Sequence, residues 1–536
     1  MKRLFYSDGK PFFTIGGQAR NSSSQSSETM KKVWAGMEQM GLNTLAAPVY
    51  WEFLEPEEGI FDYSQIDMLV RESRNHGVKL VLLWFGTWKN GASQYVPKWV
   101  KTQPERFIWA ETIQHNLTRA LSPHCMETRE ADKKAYCRLM QHLKEIKAED
   151  VLLGVQVENE PGMMGTPRDY SKLGEKIFSA NVPENIVKWV KHAAECPVKK
   201  SWYDSGAKES GTWEELFGFH AEEVCSAYAT ANYINDISKA GKKIYDLPTY
   251  VNIWIGEMFN RVAGLDYPSG GATSRVIDLW KFLSKDIDAL CPDVYFSDYR
   301  TYFDVVSKYS REDNLLYIPE SPANHMNAMN ILNAMAEYGL TGIHFFGVDD
   351  AVTNDGVLRE NYKEYKGLVS TLTAMKPMIE MYQGTDKFFV VTQYEGGASQ
   401  YLDFGDYVGR AVDYLPNGDY RWEPHRGTDT YHREDSGTFN KLAKGIIVYL
   451  ENGEFYMAGE GFSLNLIRKK SIKEMTGGVS ASQFQNGRHQ RYIQIEEGHF
   501  EDGKYVADRI RTGDECDTGV WMDTDVGVVH IKLDME

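Results

Sequence analysis

Two glutamates that follow apolar segments of the chain could act as a pair of catalytic carboxylates. One segment ends with Asn159 and Glu160, and another ends with Glu320. An acidic side chain at the end of a buried strand is costly unless it faces a cleft or is hydrogen-bonded. Two such groups at one end of a barrel suit glycoside hydrolysis, in which one carboxyl protonates the leaving oxygen and the other attacks the anomeric carbon. Either glutamate alone is better explained as an acid that caps the next helix or pairs with an arginine, but their joint placement, with Asn159 beside Glu160, favours the catalytic pair.

The elements that must position these side chains alternate between strands and helices up to about residue 375. Apolar runs typical of parallel strands buried on both faces occupy Phe12–Gly17, Thr44–Tyr50, Lys79–Phe85, Val151–Glu158, Thr249–Ile255, Asp293–Ser297, Leu315–Glu320 and Gly342–Gly347. Apolar residues at helical spacing predict helices around Met30–Met40, Leu139–Ile146 and Met326–Met335. This alternation predicts an α/β fold, a (β/α)8 TIM barrel, whose catalytic residues stand at the carboxyl ends of the strands. A doubly wound sheet also alternates strands and helices, but its glycine-rich first turn is missing here.

The pattern changes near residue 376, beyond which short alternating runs and turns predict an antiparallel β-domain. The Asn-Gly pair at residues 452–453, flanked by apolar runs, is typical of a β-hairpin. Strands are expected at Ile446–Leu450, Glu454–Ala458, Phe462–Ile467 and Val526–Leu533. We therefore predict two domains, a catalytic barrel over residues 1–378 and a smaller antiparallel β-sandwich over residues 379–536.

The composition restricts the compartment and the partners. The 536 residues carry 59 Lys and Arg against 76 Asp and Glu, a net charge of -17 that argues against nucleic acid as a partner. No apolar run is long enough for a membrane span. Six scattered cysteines and the lack of a secretory signal predict reduced thiols in a cytoplasmic protein. Nucleotide, zinc and serine-hydrolase signatures are absent, so neither a cofactor nor a metal is expected. A homo-oligomer is compatible with the sequence.

Longer motifs carry a resemblance to a known family. Trp51–Asp62 resembles the Trp-x-x-x-Glu-Pro-x-x-Gly-x-Phe-Asp segment of glycoside hydrolase family 35, the β-galactosidases, and Gln156–Glu160 resembles that family's acid/base strand. Segments similar to a bacterial subgroup of this family, which has a C-terminal β-domain, are Trp84–Gly91, Phe346–Asp350, Gly459–Phe462 and Gly513–Asp517. The resemblance spans nearly the whole chain, and it is most specific for the clan of retaining (β/α)8 glycosidases.

The resemblance implies Glu160 as the general acid/base and Glu320 as the nucleophile, and the physical chemistry agrees. In retaining enzymes the two carboxyls lie roughly 5–5.5 Å apart, so the charge of Glu320 should raise the pKa of Glu160. We expect Glu158 to be a buried support and Asn159 to bind the sugar 2-hydroxyl. Further candidate substrate-binding residues are Glu52, Trp88, Asn90, Trp254, Tyr299 and Asp349.

Several of these candidates have an alternative interpretation. The aromatic residues among them could equally serve packing, Asp349 could tie loops together, and Glu52 could pair with Arg20. The first-strand loop also departs from the family pattern, because Gln18 and Arg20 stand where many members of the subgroup have Glu and His. This departure leaves the identity of the sugar open.

The leading interpretation is a retaining exo-β-galactosidase that removes terminal β-galactose from oligosaccharides or glycan side chains. Two carboxylates suffice for this reaction. One alternative is the same chemistry on a β-glucoside, a β-fucoside or an arabinoside. Another is a non-catalytic carbohydrate-binding barrel, although such a protein has no reason to keep both glutamates.

Overall fold

The computed structural model describes residues 2–257, 261–394, 400–413, 442–470, 491–512, 515–516 and 519–534. These residues form a parallel, helix-covered barrel followed by two antiparallel sheets, as the sequence predicts. Of the motif Gly513–Asp517, residues Gly513, Asp514 and Asp517 lie outside the described part of the chain.

Seven parallel strands and one irregular segment form the barrel wall. The strands are Thr14–Gln18, Thr44–Tyr50, Lys79–Lys89, Leu152–Asn159, Thr249–Trp254, Ala289–Asp293 and Gly342–Phe346. The first six lie side by side in chain order, and the last pairs with the first on its other edge. The remaining position is filled by residues 315–320. There the His344 N–H donates to the Ile318 carbonyl at 3.0 Å and the Val294 N–H donates to the Glu320 carbonyl at 2.9 Å, which closes the barrel.

Two strand predictions need correction. The sixth strand is Ala289–Asp293, so the prediction of Asp293–Ser297 was too far along the chain. Its Pro292 interrupts the apolar run in the sequence, yet the strand still pairs in parallel with Thr249–Trp254. The seventh segment is not a regular strand because Pro319 has no N–H to donate to a neighbour.

Helices cover the outside of the barrel. They are Ser27–Met40, Trp51–Leu54, Ser64–His76, Lys98–Lys101, Met126–Glu145, Lys172–Phe178, Glu184–His192, Pro197–Asp204, Trp213–Phe217, Ala221–Ile244, Ile277–Leu283, Tyr299–Tyr309, His325–Glu337, Lys363–Ala374 and Lys376–Tyr382. Short 3-10 turns lie at Ala148–Asp150, Gly218–His220, Val348–Ala351, Glu360–Tyr362 and Thr524–Val526. Two small antiparallel pairs are Phe5–Ser7 with Lys10–Phe12 and Trp109–Glu111 with Leu117–Leu121.

The first helix illustrates why the spacing prediction succeeds. A capping box at Ser26 starts it, Gly41 ends it in the left-handed region with φ 74°, and its apolar stripe faces the core. The three predicted helices are all present within longer observed helices. None of the helices in the described ranges combines the length and the apolar character that crossing a membrane would require.

The C-terminal region consists of two antiparallel sheets that share a core. One sheet contains Phe388–Thr392, Lys444–Tyr449, Glu454–Glu460, Val528–Leu533, Tyr492–Glu501 and Lys504–Ile510. The other contains Gln400–Asp403, Tyr407–Asp413, Phe462–Arg468 and Val520–Met522. Side chains from both sheets, such as Phe404 and Phe455, pack in one apolar cluster. The predicted hairpin is present, since Tyr449 pairs with Phe455 across the Asn-Gly turn.

A buried lysine connects the barrel to the C-terminal sheets. The Lys444 Nζ lies 2.7 Å from the Glu460 carboxylate and 2.9 Å from the Glu364 carboxylate, which belongs to helix Lys363–Ala374. Apolar residues of the six-stranded sheet also join the main barrel core. The predicted division between residues 378 and 379 falls inside helix Lys376–Tyr382 and stays a prediction.

Candidate active site

The two predicted catalytic glutamates lie at the carboxyl ends of barrel strands and line one cavity. Glu160 directly follows the strand Leu152–Asn159, and Glu320 ends the segment that closes the barrel. The cavity holds about 300 Å³, and the two residues are only 6% and 4% exposed. Two buried carboxylates therefore face the same small space, which is the arrangement that the sequence predicts. Their chemical roles remain predictions.

The surroundings of Glu160 favour its protonated form. Burial raises the pKa of Glu160 to about 7, the negative charge of Glu320 adds to this rise, and the positive charge of Lys89 opposes it. The Glu160 N–H donates to Asn252 Oδ1 at 2.9 Å, which fixes the backbone at this position. A carboxyl group with a pKa near neutrality can deliver a proton and later take one back.

Glu320 is surrounded by hydrogen-bond donors instead. Gln18 Nε2 donates to Glu320 Oε1 at 2.7 Å, and the Tyr295 hydroxyl donates to Oε2 at 2.8 Å. A third, longer contact of 3.5 Å comes from Asn159 Nδ2. Donors to both oxygens stabilise the ionised carboxylate, which is the form that can attack carbon. Gln18 thus contacts the predicted nucleophile from the position where many members of the resembled subgroup have Glu.

Lys89 orients the amide of Asn159. Its Nζ donates to Asn159 Oδ1 at 2.8 Å, so the amide nitrogen turns towards Glu320. Asn159 is fully buried, directly precedes Glu160 in the chain and contacts Glu320 in space. This placement is compatible with its predicted contact to a sugar hydroxyl.

Glu158 connects the end of the fourth strand to the neighbouring third strand. Its carboxylate accepts hydrogen bonds from the backbone N–H groups of Thr87 at 3.1 Å and Trp88 at 2.6 Å on the neighbouring strand. Burial, followed by the charge of Asp132, raises the pKa of Glu158 well above its usual range. Both Glu158 and Glu160 have left-handed backbone conformations, with φ of 64° and 42°. The chain therefore makes an unusual double bend where the two carboxylates diverge.

The other predicted sugar contacts divide into two groups. Asn90 and Trp254 line the cavity together with the glutamates. Trp88 is a core residue instead, fully buried with its ring 4.7 Å from that of Tyr233. Tyr299 is half exposed on a helix and packs against neighbouring rings. Neither Trp88 nor Tyr299 belongs to the cavity wall.

The acidic candidates outside the glutamate pair also lie away from this wall. Glu52 forms an ion pair with Lys101 at 3.2 Å, whereas Arg20 pairs with Asp350. Asp349 accepts hydrogen bonds from the Arg20 N–H at 3.1 Å and the Ser23 hydroxyl at 2.8 Å. Asp349 therefore connects the first-strand loop to the end of the eighth strand, as the alternative interpretation of this residue predicts.

Sequence reasoning missed three polar residues around the pair: Asn252, Asp293 and Tyr295. Asn252 Nδ2 donates to Asp293 Oδ2 at 2.7 Å, and burial with the charges of the two glutamates raises the pKa of Asp293 well above its usual range. A correct placement of the sixth strand would have exposed the signal, since Asp293 is its last residue. In the described part of the chain no cluster of three or more His, Cys, Asp or Glu could hold a metal ion.

Two family models match parts of the chain. Residues 21–201 match the glycoside hydrolase family 42 model, described as beta-galactosidase, and residues 369–523 match a domain of unknown function, DUF5597. No curated protein sequence matches the chain. The family 42 match supports placement among the clan A glycoside hydrolases. It does not support family 35, which the short sequence motifs resemble.

Solved structures align with the chain at low sequence identity. The catalytic domain of β-amylase from Paenibacillus polymyxa aligns with a TM-score of 0.50 and 14% identity over 67% of this chain and 97% of that one. A catalytic mutant of Gan42B, a GH42 β-galactosidase from G. stearothermophilus, aligns with a TM-score of 0.49 and 14% identity over 72% of this chain and 59% of that one. The β-galactosidase from Bacillus circulans sp. alkalophilus aligns with a TM-score of 0.47 and 15% identity over 70% of this chain and 58% of that one. The chain thus spans less than three fifths of the two β-galactosidases, and at 14% identity the β-amylase likeness shows the fold alone.

Proposed function

We propose that this protein is a retaining exo-β-galactosidase that releases terminal β-galactose from oligosaccharides or glycan side chains. The observation that carries the proposal is the pair of buried glutamates at strand ends around a single small cavity, with the pKa of Glu160 raised to about 7 and Glu320 accepting hydrogen bonds on both oxygens. The family 42 match over residues 21–201 supports the choice of galactose. The six cysteines are all free thiols, in keeping with a cytoplasmic location.

The reaction takes place in two displacements. Glu320 attacks the anomeric carbon while Glu160 passes its proton to the leaving oxygen, which gives a covalent glycosyl–enzyme ester and a free alcohol. Glu160 then removes a proton from water, the water oxygen attacks the anomeric carbon, and Glu320 leaves as a carboxylate. The two inversions retain the β configuration. Asn159, with its amide nitrogen turned towards Glu320, is placed to donate to the 2-hydroxyl of the sugar.

The roles of the two glutamates can be separated with substituted enzymes. Glu320→Ala should lower kcat for 4-nitrophenyl β-galactoside by about three orders of magnitude or more, and azide should restore turnover as a galactosyl azide of opposite anomeric configuration. Glu160→Ala should retain much more activity on this substrate than on an alkyl galactoside, because a nitrophenolate leaves without protonation. Glu38→Gln, an exposed change on the first helix, is the matched control.

A panel of nitrophenyl glycosides tests the sugar. We expect galactose to be preferred over glucose, fucose and arabinose at the glycone position. Preference for another sugar would reassign the specificity and keep the chemistry. Full activity in both glutamate variants would overturn the mechanism. Binding of galactosides without any hydrolysis would favour the non-catalytic carbohydrate-binding protein.

A further inference from the structure

A second, larger cavity lies beside the one that holds the glutamates. It has a volume of about 770 Å³, against about 300 Å³ for the first, and both volumes fall in or near the roughly 300–1,000 Å³ range of ligand pockets. Arg261 lines both cavities. The walls come from the long connections that follow the fourth and fifth strands, on the side of the barrel where the active site lies.

Arg261 is the residue at the junction. One guanidinium nitrogen donates to the Ile255 carbonyl at 3.0 Å, and the guanidinium lies 5.6 Å from the ring centre of Phe296. Ile255 and Phe296 both line the smaller cavity. Within the described residues no carboxylate forms an ion pair with Arg261, so its remaining N–H groups are available as donors between the two spaces.

Phe219 presents a fully exposed ring on the wall of the second cavity. Its side chain is 95% exposed, more than any other large apolar residue in the described part of the chain. The ring stands on the 3-10 turn Gly218–His220, whose flanking residues Phe217 and Ala221 are buried and fix the backbone. His220 lies edge-on to the ring at 5.2 Å. Burial of a phenyl ring is favourable, so an exposed ring that lines a cavity gains contact area when a ligand enters it.

The chemistry of this wall suits a sugar. One side offers the flat ring of Phe219 and the half-exposed Val262, and the other offers the charged groups of Glu222, Arg261 and Arg275. A pyranose has one face of C–H bonds that can cover an aromatic ring and a rim of hydroxyls that pair with charged donors and acceptors. Because Glu222 and Arg275 already have protein partners, Arg261 is the group whose N–H donors an alkyl chain or an apolar peptide would leave unsatisfied.

We propose that the second cavity is the leaving-group subsite of the enzyme and binds further sugar units of an oligosaccharide, with Phe219 as the stacking platform. The inference rests on the proposed glycosidase function. A terminal galactose fills the small cavity between the glutamates, and the chain to which it is linked passes Arg261 and lies on Phe219. The enzyme is therefore built for saccharides of three or more units rather than for simple galactosides.

The experiment compares substrates of increasing length. The value of kcat/KM is measured for 4-nitrophenyl β-galactoside, octyl β-galactoside, and galactobiose, galactotriose and galactotetraose in the β-1,3-, β-1,4- and β-1,6-linked series. In at least one series kcat/KM should rise beyond the disaccharide. Phe219→Ala should lower the ratio of kcat/KM for that oligosaccharide to kcat/KM for the nitrophenyl galactoside by about tenfold, the loss of one aromatic contact. Tyr6→Ala, another exposed aromatic change on the small N-terminal hairpin, should leave the ratio unchanged.

Three results would overturn the proposal: no gain with length in any series, an unchanged ratio in Phe219→Ala, or an equal loss for octyl galactoside. If the wild-type enzyme hydrolysed no galactoside, the proposed function would fail, and the subsite would be tested separately. In that case the subsite is tested by calorimetric titration with the same oligosaccharides, which compares Glu320→Gln with the double variant Glu320→Gln and Phe219→Ala. Weaker binding in the double variant would support the saccharide site at Phe219, and equal binding in the two proteins would contradict it.

Discussion

Replacing Glu160 by glutamine should make the folded protein more stable above neutral pH while it abolishes the proposed acid function. In the folded state burial and the charge of Glu320 hold the carboxyl of Glu160 protonated, with a pKa of about 7. In the unfolded chain the same group titrates near its ordinary value. The ionised form of Glu160 therefore opposes folding, and glutamine, which has the same shape, cannot ionise.

The size of the effect follows from the two pKa values. A rise from 4.5 to about 7 corresponds to about 3 kcal/mol, at 1.36 kcal/mol for each pKa unit. Below the lower value both states hold the proton and Glu160 costs nothing. Between the two values the unfolded chain releases its proton while the folded protein keeps it, so the stability falls as pH rises. Above pH 7 the cost is complete, and Glu160→Gln removes it.

The assay is urea unfolding of wild-type protein and Glu160→Gln at pH 5 and pH 8. The gain in the free energy of unfolding should be about 2 kcal/mol larger at pH 8 than at pH 5. Glu38→Gln, whose carboxylate is exposed on the first helix, controls for the loss of one negative charge from a protein with a net charge of -17. An equal effect of Glu160→Gln at both pH values, or a loss of stability at pH 8, would refute the view that the surroundings of Glu160 hold its proton.

Three further changes test other contacts. Lys89→Met removes a positive charge that lowers the pKa of Glu160. The alkaline limb of the pH profile of kcat/KM should therefore move to higher pH than its wild-type position near 7. An unchanged limb would mean that Lys89 does not influence the pKa of Glu160. Tyr295→Phe removes one donor to Glu320 and should lower kcat by about 10²-fold with little change in Tm; equal losses of kcat and stability would indicate a structural role only. Lys444→Met removes the cation that lies between the buried Glu460 and the half-buried Glu364 and should cost about 3–5 kcal/mol of unfolding free energy, read from urea unfolding; a neutral change would mean that this ion pair does not stabilise the contact between the barrel and the sheets.

The barrel was predictable because parallel strands are buried on both faces and so appear as uninterrupted apolar runs. Thr44–Tyr50 was predicted with the bounds that the structure has, and every one of its residues is buried. The position of Glu320 follows from the same pattern, since it is the first acidic residue after such a run, whereas Glu160 follows Glu158 and was distinguished from it by the resemblance of Gln156–Glu160 to an acid/base strand. The prediction of the sixth strand was wrong because Pro292 interrupts its apolar run, and Asp293 and Tyr295 were missed for the same reason.

The contacts of single side chains were harder to predict because they depend on register. Trp88 was expected at the sugar, but its strand extends to Lys89 and its pairing with the next strand shifts register between Trp84 and Lys89. The alternation of faces is lost across this shift, and Trp88 turns into the core. Glu52 and Tyr299 lie on helices, whose orientation relative to the barrel mouth is set by tertiary packing that a single sequence does not reveal.

The left-handed backbone at Glu160 has a consequence for the evolution of this protein. A non-glycine residue in this region carries a conformational cost of about 1–2 kcal/mol, and the carboxylate adds its own. Substitution of residue 160 by glycine, and to a smaller extent by asparagine, should therefore stabilise the fold. A library selected for thermal resistance alone would discard this glutamate early, so the fold keeps it only as long as turnover is selected.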